Sequence, residues 1–161
     1  MKKIMIVFTG GTISMKVDSQ TGGAVPHLTG GEIIDMIPEL KSLGKVDFYD
    51  FGKYPGPHIT PELMFELALT IQQMIDENEY DGIIITHGTD TLEETAYFLD
   101  LYLECHIPVV LTGSMRNSSD PDWDGPPNLI DSIYTCLNPN SRDMGVLVCL
   151  NGEINAASEV T

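Results

Sequence analysis

The chain has 161 residues, with 24 acidic and 8 basic side chains, a formal charge of −16 and 42% apolar residues. That length suits one domain spanning residues 1–161, and the apolar fraction excludes an acidic disordered segment. Residues 51–161 hold 18 of the acids against Lys53, Arg116 and Arg142, so no basic stripe can neutralise phosphates; nucleic acid and anionic membrane are excluded as partners.

After Met1-Lys2-Lys3, the apolar run Ile4 to Phe8 is shorter than the roughly 7–15 residues of a secretory h-region, so the cytoplasm is the expected location. Nothing approaches the ~20 apolar residues of a membrane span. Ile4 to Phe8 reads as a first strand. Residues 9–28 contain Gly10, Gly11, Gly22 and Gly23 and no helical period, which predicts a lid or mobile hairpin. Thr29 and Glu32 form a capping box ahead of Ile33, Ile34 and Ile37. Val46 to Phe51 alternates and reads as an edge strand. Thr60-Pro61-Glu62 is a helix start, with Leu63, Leu67, Ile71, Met74 and Ile75 on one face.

Gly82 to Thr86 is the third strand. Thr91 with Glu94 reads as a capping box for a helix carrying Leu92, Ala96, Leu99 and Leu103. Val109 to Thr112 follows, then Leu129, Ile133 and Leu137 at helical spacing after Pro126-Pro127, then a fifth strand, Gly145 to Leu150. Four of the five strands are apolar throughout, the mark of a parallel sheet covered on both faces. The expectation is an α/β fold: a doubly wound, mostly parallel, flavodoxin-like sheet in the order 2-1-3-4-5. Cys105, Cys136 and Cys149 are odd in number and set in apolar surroundings, as reduced core thiols would be.

In such a sheet, ligands bind beyond the carboxyl ends of the strands where the strand order reverses. That selects Thr9-Gly10-Gly11-Thr12 after the first strand and His87-Gly88-Thr89-Asp90-Thr91 after the third, facing one crevice. Neither G-x-G-x-x-G nor a Walker A lysine motif is present, so no phosphate cradle or cofactor is expected. A threonine nucleophile would need a proton relay and backbone N–H donors for the oxyanion, with glycines to let the backbone approach. Asp90, acceptor-only when ionised, suits a substrate ammonium group.

Elsewhere the readings are structural. His27, His58, His87 and His106 share no ligand spacing, so no metal is expected. His87 is read as orienting its turn by a hydrogen bond, Arg116 as one half of an ion pair, and Trp123 as a ring packed over Pro121 and Pro126. Asp120, Asp122 and Asp124 alternate without the glutamate of an EF-hand.

At the crevice residues the sequence resembles the bacterial-type L-asparaginase family. Thr9-Gly10-Gly11-Thr12-Ile13 is similar to one family signature, and Thr86 to Tyr97, THGTDTLEETAY, to a second. Gly113-Ser114-Met115-Arg116 and Asp124-Gly125-Pro126-Pro127-Asn128-Leu129 resemble further family segments in the same order. The resemblance implies hydrolysis of the side-chain amide of L-asparagine, or of L-glutamine, through an acyl-enzyme, without metal or cofactor and in a homo-oligomer. It makes Thr12 the nucleophile, Thr89 a second hydroxyl beside the scissile amide, and Asp90 a ligand of the substrate α-amino group, with Gly11, Gly88 and His58 lining the substrate.

Three family features differ. The loop tyrosine aligns with Ala24, and the substrate-binding serine aligns with Pro57, beside His58. The catalytic lysine follows a Val-Thr pair, and here it would be the residue after Val160-Thr161, so the chain is either a short single-domain member or, as the favoured expectation, the N-terminal portion of a longer protein. These differences keep a second function open: an amino-acid-binding or amidotransferase-subunit domain without turnover. A flavodoxin-like cofactor carrier has fold alone behind it.

Overall fold

Alternating apolar strands and amphipathic helices dictate the architecture. The computed structural model describes all 161 residues. In chain order these are β1 (Lys3–Gly10), β2 (Met15–Val17), β3 (Ala24–Pro26), α1 (Gly30–Asp35), α2 (Leu40–Leu43), β4 (Lys45–Tyr54), α3 (Pro61–Asp76), β5 (Gly82–Thr86), α4 (Leu92–Tyr102), β6 (Val109–Thr112), α5 (Gly125–Leu137), β7 (Val146–Leu150) and β8 (Glu153–Ala156). The main sheet runs β4-β1-β5-β6-β7-β8. Its first five strands are parallel and stand in the expected 2-1-3-4-5 order, with β4 at the edge.

The sixth strand corrects the five-strand expectation. β8 pairs antiparallel with β7 through Asn151-Gly152, both at positive φ (54° and 76°). An Asn-Gly pair after an apolar run is a two-residue hairpin signal. The strand it announces, Glu153-Ile154-Asn155-Ala156, is mostly exposed and lacks the apolar run by which the others were found.

Sheet alternation sends side chains to two apolar layers. Ile4, Ile6, Phe8, Ile84 and Val110 meet α1, α2 and α5 on one face. Met5, Val7, Ile83, Ile85 and Leu111 meet α3 and α4 on the other. Each fully buried side chain of this size contributes about 1.5–3 kcal/mol relative to leaving it in water. Cys136 and Cys149 are free and buried, and burial pushes their thiols up; Cys105 is free and half-buried.

The helix starts behave unequally. The Thr29 hydroxyl accepts from the Glu32 amide (3.2 Å), and the Glu32 carboxylate accepts from the Thr29 amide (2.7 Å), which holds that carboxyl below its usual range. Thr60 caps α3 through the Leu63 amide at 3.3 Å. Thr91 does not cap α4: its hydroxyl donates instead to the Gly56 carbonyl at 2.8 Å, so the expected Thr91–Glu94 box is absent. No helix is long and apolar enough to cross a membrane.

Residues 15–26 form a β2–β3 hairpin paired from Met15–Pro26 to Val17–Ala24. The segment after β6 ties it down. Ser118 bonds the Met15 carbonyl through its hydroxyl (2.8 Å) and its amide (3.1 Å), and the Ser119 hydroxyl accepts from the Val17 amide at 3.1 Å.

Candidate functional site

Glycine brings the loops after β1, β4 and β5 backbone to backbone. Gly10 (φ 115°) lies against the Tyr54 backbone, and Gly11 (φ 77°) donates its N–H to the Tyr54 carbonyl at 2.9 Å. A Cβ on Gly11 would come within 2.6 Å of the Gly88 Cα, and one on Gly88 within 2.6 Å of the Gly56 Cα. At Gly11 the positive φ and the lack of space both demand glycine. Thr12, next in the chain, opens a tight turn that Ser14 ties down by donating its hydroxyl to the Gly11 carbonyl at 2.9 Å.

Thr89 and Asp90 follow Gly88 directly, so the Gly11–Gly88 contact brings the segments that carry Thr12 and the Thr89-Asp90 pair together at the carboxyl end of the sheet. Thr12 and Thr89 are half-buried and Asp90 is exposed. A fourth loop joins them, because a Cβ on Gly113 would overlap the His87 carbonyl and stand 3.5 Å from the Thr89 methyl. Together these loops form the carboxyl-end crevice at a reversal of strand order that the sequence selects.

The loop after β4 refines one expectation. Gly56 is the residue against Asp90, where a Cβ would lie 3.2–3.4 Å from Asp90 atoms, whereas Pro57 and His58 are exposed. The position facing Asp90 therefore carries no side chain at all, and His58 sits two residues along on the same short turn. Ala24 lies exposed on β3. Tyr54 reaches the turn after β1 with its backbone, while its ring folds back over Gly52.

His87 is fully buried. Its Nδ1 lies 2.7 Å from the Gly88 carbonyl and its Nε2 2.8 Å from the Thr95 hydroxyl. Burial pushes its pKa down, so the ring is neutral: Nδ1–H donates to Gly88, and Thr95 donates to Nε2. Both nitrogens serve to hold the turn, as expected. The Arg116 guanidinium pairs with Asp122 at 3.0 Å. Trp123 is half-buried against the α1–α5 layer, and its ring lies over Gly125. No cluster of His, Cys, Asp and Glu could hold a metal ion.

A groove of about 220 Å³ runs from Thr89, Leu92 and Glu93 to Asn151, Val160 and Thr161. A larger hollow of about 450 Å³ lies under the hairpin among Lys16, Asp18, Val25 and His27, away from Thr89 and Asp90. Loop geometry, not cavity size, marks the site.

Fold and site thus define an open, doubly wound α/β domain that sets threonine hydroxyls and a carboxylate at its switch point. Residues 3–161 match the family described as Asparaginase, N-terminal, and the chain belongs to that family. It is 39% identical over 159 residues to a probable L-asparaginase of Deinococcus radiodurans, covering 99% of this chain and 47% of that one. An L-asparaginase of Bacillus licheniformis is 38% identical over 153 residues, covering 95% of this chain and 47% of its own. The crystal structure of a probable cytoplasmic L-asparaginase from Campylobacter jejuni superposes with a TM-score of 0.90 at 33% identity, over 100% of this chain and 48% of that one. The chain spans about half the length of the curated relatives it matches.

Proposed function

We propose that the protein is an amidohydrolase that converts the side-chain amide of L-asparagine, with L-glutamine as the alternative substrate, to the acid and ammonia. The observation that carries this reading is the Gly11–Gly88 backbone contact, which brings together the loops on which Thr12 and the Thr89-Asp90 pair are carried. The Thr12 hydroxyl attacks the amide carbonyl, the C–N bond breaks as ammonia leaves, and water then hydrolyses the ester on Thr12. Asp90 takes the substrate ammonium, and Thr89 stands beside the reacting amide. Because the Gly11 N–H is committed to Tyr54, the oxyanion donors are the amides of Thr12 and Thr89, and Gly11 and Gly88 contribute room for close approach. His58 borders the substrate from the turn that carries Gly56.

Both His87 nitrogens are engaged, so the proton relay comes from elsewhere. Residues 1–161 act as the α/β catalytic domain, in the cytoplasm, within a homo-oligomer and without metal or cofactor. Purified protein of native length is expected to release ammonia from L-asparagine, and Thr12→Ala to abolish it. No release from asparagine or glutamine at millimolar substrate would refute this.

Ala24 in place of a phenol, and Pro57 in place of a serine with only Gly56 facing Asp90, support a second reading, amino-acid binding without turnover. Calorimetry with L-aspartate separates the two: binding without ammonia release from L-asparagine supports the second.

A further inference from the structure

Asn128 is buried in the first turn of α5, yet its side chain makes no capping bond to its own helix. Its Nδ2 donates to the Gly113 carbonyl at 3.0 Å, and its Oδ1 accepts from the Asn151 amide at 3.0 Å. The partners themselves set the orientation, since a carbonyl requires the NH2 end and a backbone N–H requires the oxygen. One side chain therefore joins the loop after β6 to the turn after β7. Asp124 extends the tie: its carboxylate accepts from the Met115 and Arg116 amides, both at 2.9 Å, and lies 3.3 Å from the Asn128 Nδ2.

Both joined loops border Thr89. Gly113 lies against the His87 carbonyl and the Thr89 methyl, and Asn151 lines the groove that Thr89 opens onto. From this geometry we infer that Asn128 is a positioning residue for Thr89, tying Gly113, which packs by the Thr89 methyl, to Asn151, which lines the groove. The inference rests on the amidohydrolase reading, because what it positions is the hydroxyl beside the scissile amide. None of the clamp's hydrogen bonds involves Asp90, Gly11 or Gly88, so its loss is expected to disturb the reacting geometry more than substrate binding.

The test compares steady-state hydrolysis of L-asparagine by the wild type, Asn128→Ala, Asn128→Asp and Ser132→Ala. Asn128→Asp keeps the shape and the acceptor for Asn151, but sets a carboxylate against the Gly113 carbonyl and Asp124. Both Asn128 variants are expected to lose roughly 10- to 100-fold in kcat, with KM changed less than about threefold. Ser132→Ala removes a buried bond to the Asn128 carbonyl on the same helix (2.7 Å) and is expected to lower stability while keeping kcat. Wild-type kcat in Asn128→Ala, or an equal loss of kcat in Ser132→Ala, overturns the inference. Hydrogen exchange reads the clamp without turnover: Asn128→Ala, or Asn128→Asp should the alanine variant not fold, is expected to speed exchange in residues 113–116 and 150–153 together and to spare β4. A wild type that releases no ammonia refutes the amidohydrolase reading. The exchange data then still decide the clamp, and unchanged exchange in either loop overturns it.

Discussion

The turn after β1 and the hairpin that follows it are adjacent in the chain and are held by opposite means. In the turn, Gly11, Gly88 and Gly56 touch through their backbones and Gly10 lies on the backbone of Tyr54, so no side-chain rearrangement can move one loop against another. The hairpin is a short ladder with Lys16, Val17, Ala24 and Val25 exposed, tied down by hydrogen bonds to Ser118, Ser119 and Ser14. Steric exclusion fixes the residues that would do the chemistry. Bonds worth about 0.5–1.5 kcal/mol each hold the segment that would cover them, and such a segment opens locally.

The strongest break of this contrast is Gly11→Ala. Positive φ and overlap with Gly88 act together, and a loss of about 3 kcal/mol or more is expected in urea unfolding. A variant of near wild-type stability would show that the loops are not sterically locked. His87 probes the same turn through pH. Its folded pKa is lowered, so its contribution is complete above the unfolded value of about 6.5 and is lost as pH falls below it, where the unfolded chain takes up a proton that the buried ring resists. The difference in unfolding free energy between wild type and His87→Gln should therefore shrink from pH 7 to pH 5, and a constant difference contradicts a buried neutral ring.

On the hairpin side the effects are smaller. Thr29→Ala removes the box that fastens the hairpin's exit to α1 and is expected to cost about 1 kcal/mol in thermal or urea unfolding. Ser118→Ala should cost less than about 1 kcal/mol globally while speeding amide exchange across residues 15–17. A global loss as large as that of Gly11→Ala would erase the distinction between the two regions.

What could be read from sequence follows from local physics. Apolar β-branched runs announced four of the five parallel strands, because strands covered on both faces need apolar side chains at every position, and alternation announced the edge strand β4. Thr29 and Thr60 were readable as caps because their partners lie three residues away. Thr91 has the same local pattern, and its hydroxyl is drawn instead to a carbonyl 35 positions back, an acceptor that exists only once the loops meet. Gly56 and Asn128 were missed as site residues for the same reason. A glycine announces neither the carboxylate it abuts nor the space it leaves, and the two partners of Asn128 lie 15 and 23 residues away.

The order of the strands and the two-faced apolar layers were determined by sequence alone, since each follows from repeated short-range patterns that hydrophobic burial reads directly. Which hydroxyl caps and which one bridges, which residue of the β4 loop faces Asp90, and how the groove beside Thr89 is held were decided only by tertiary structure. Those outcomes depend on single hydrogen bonds and on contacts of a few ångströms between loops far apart in the chain, and no local periodicity encodes them.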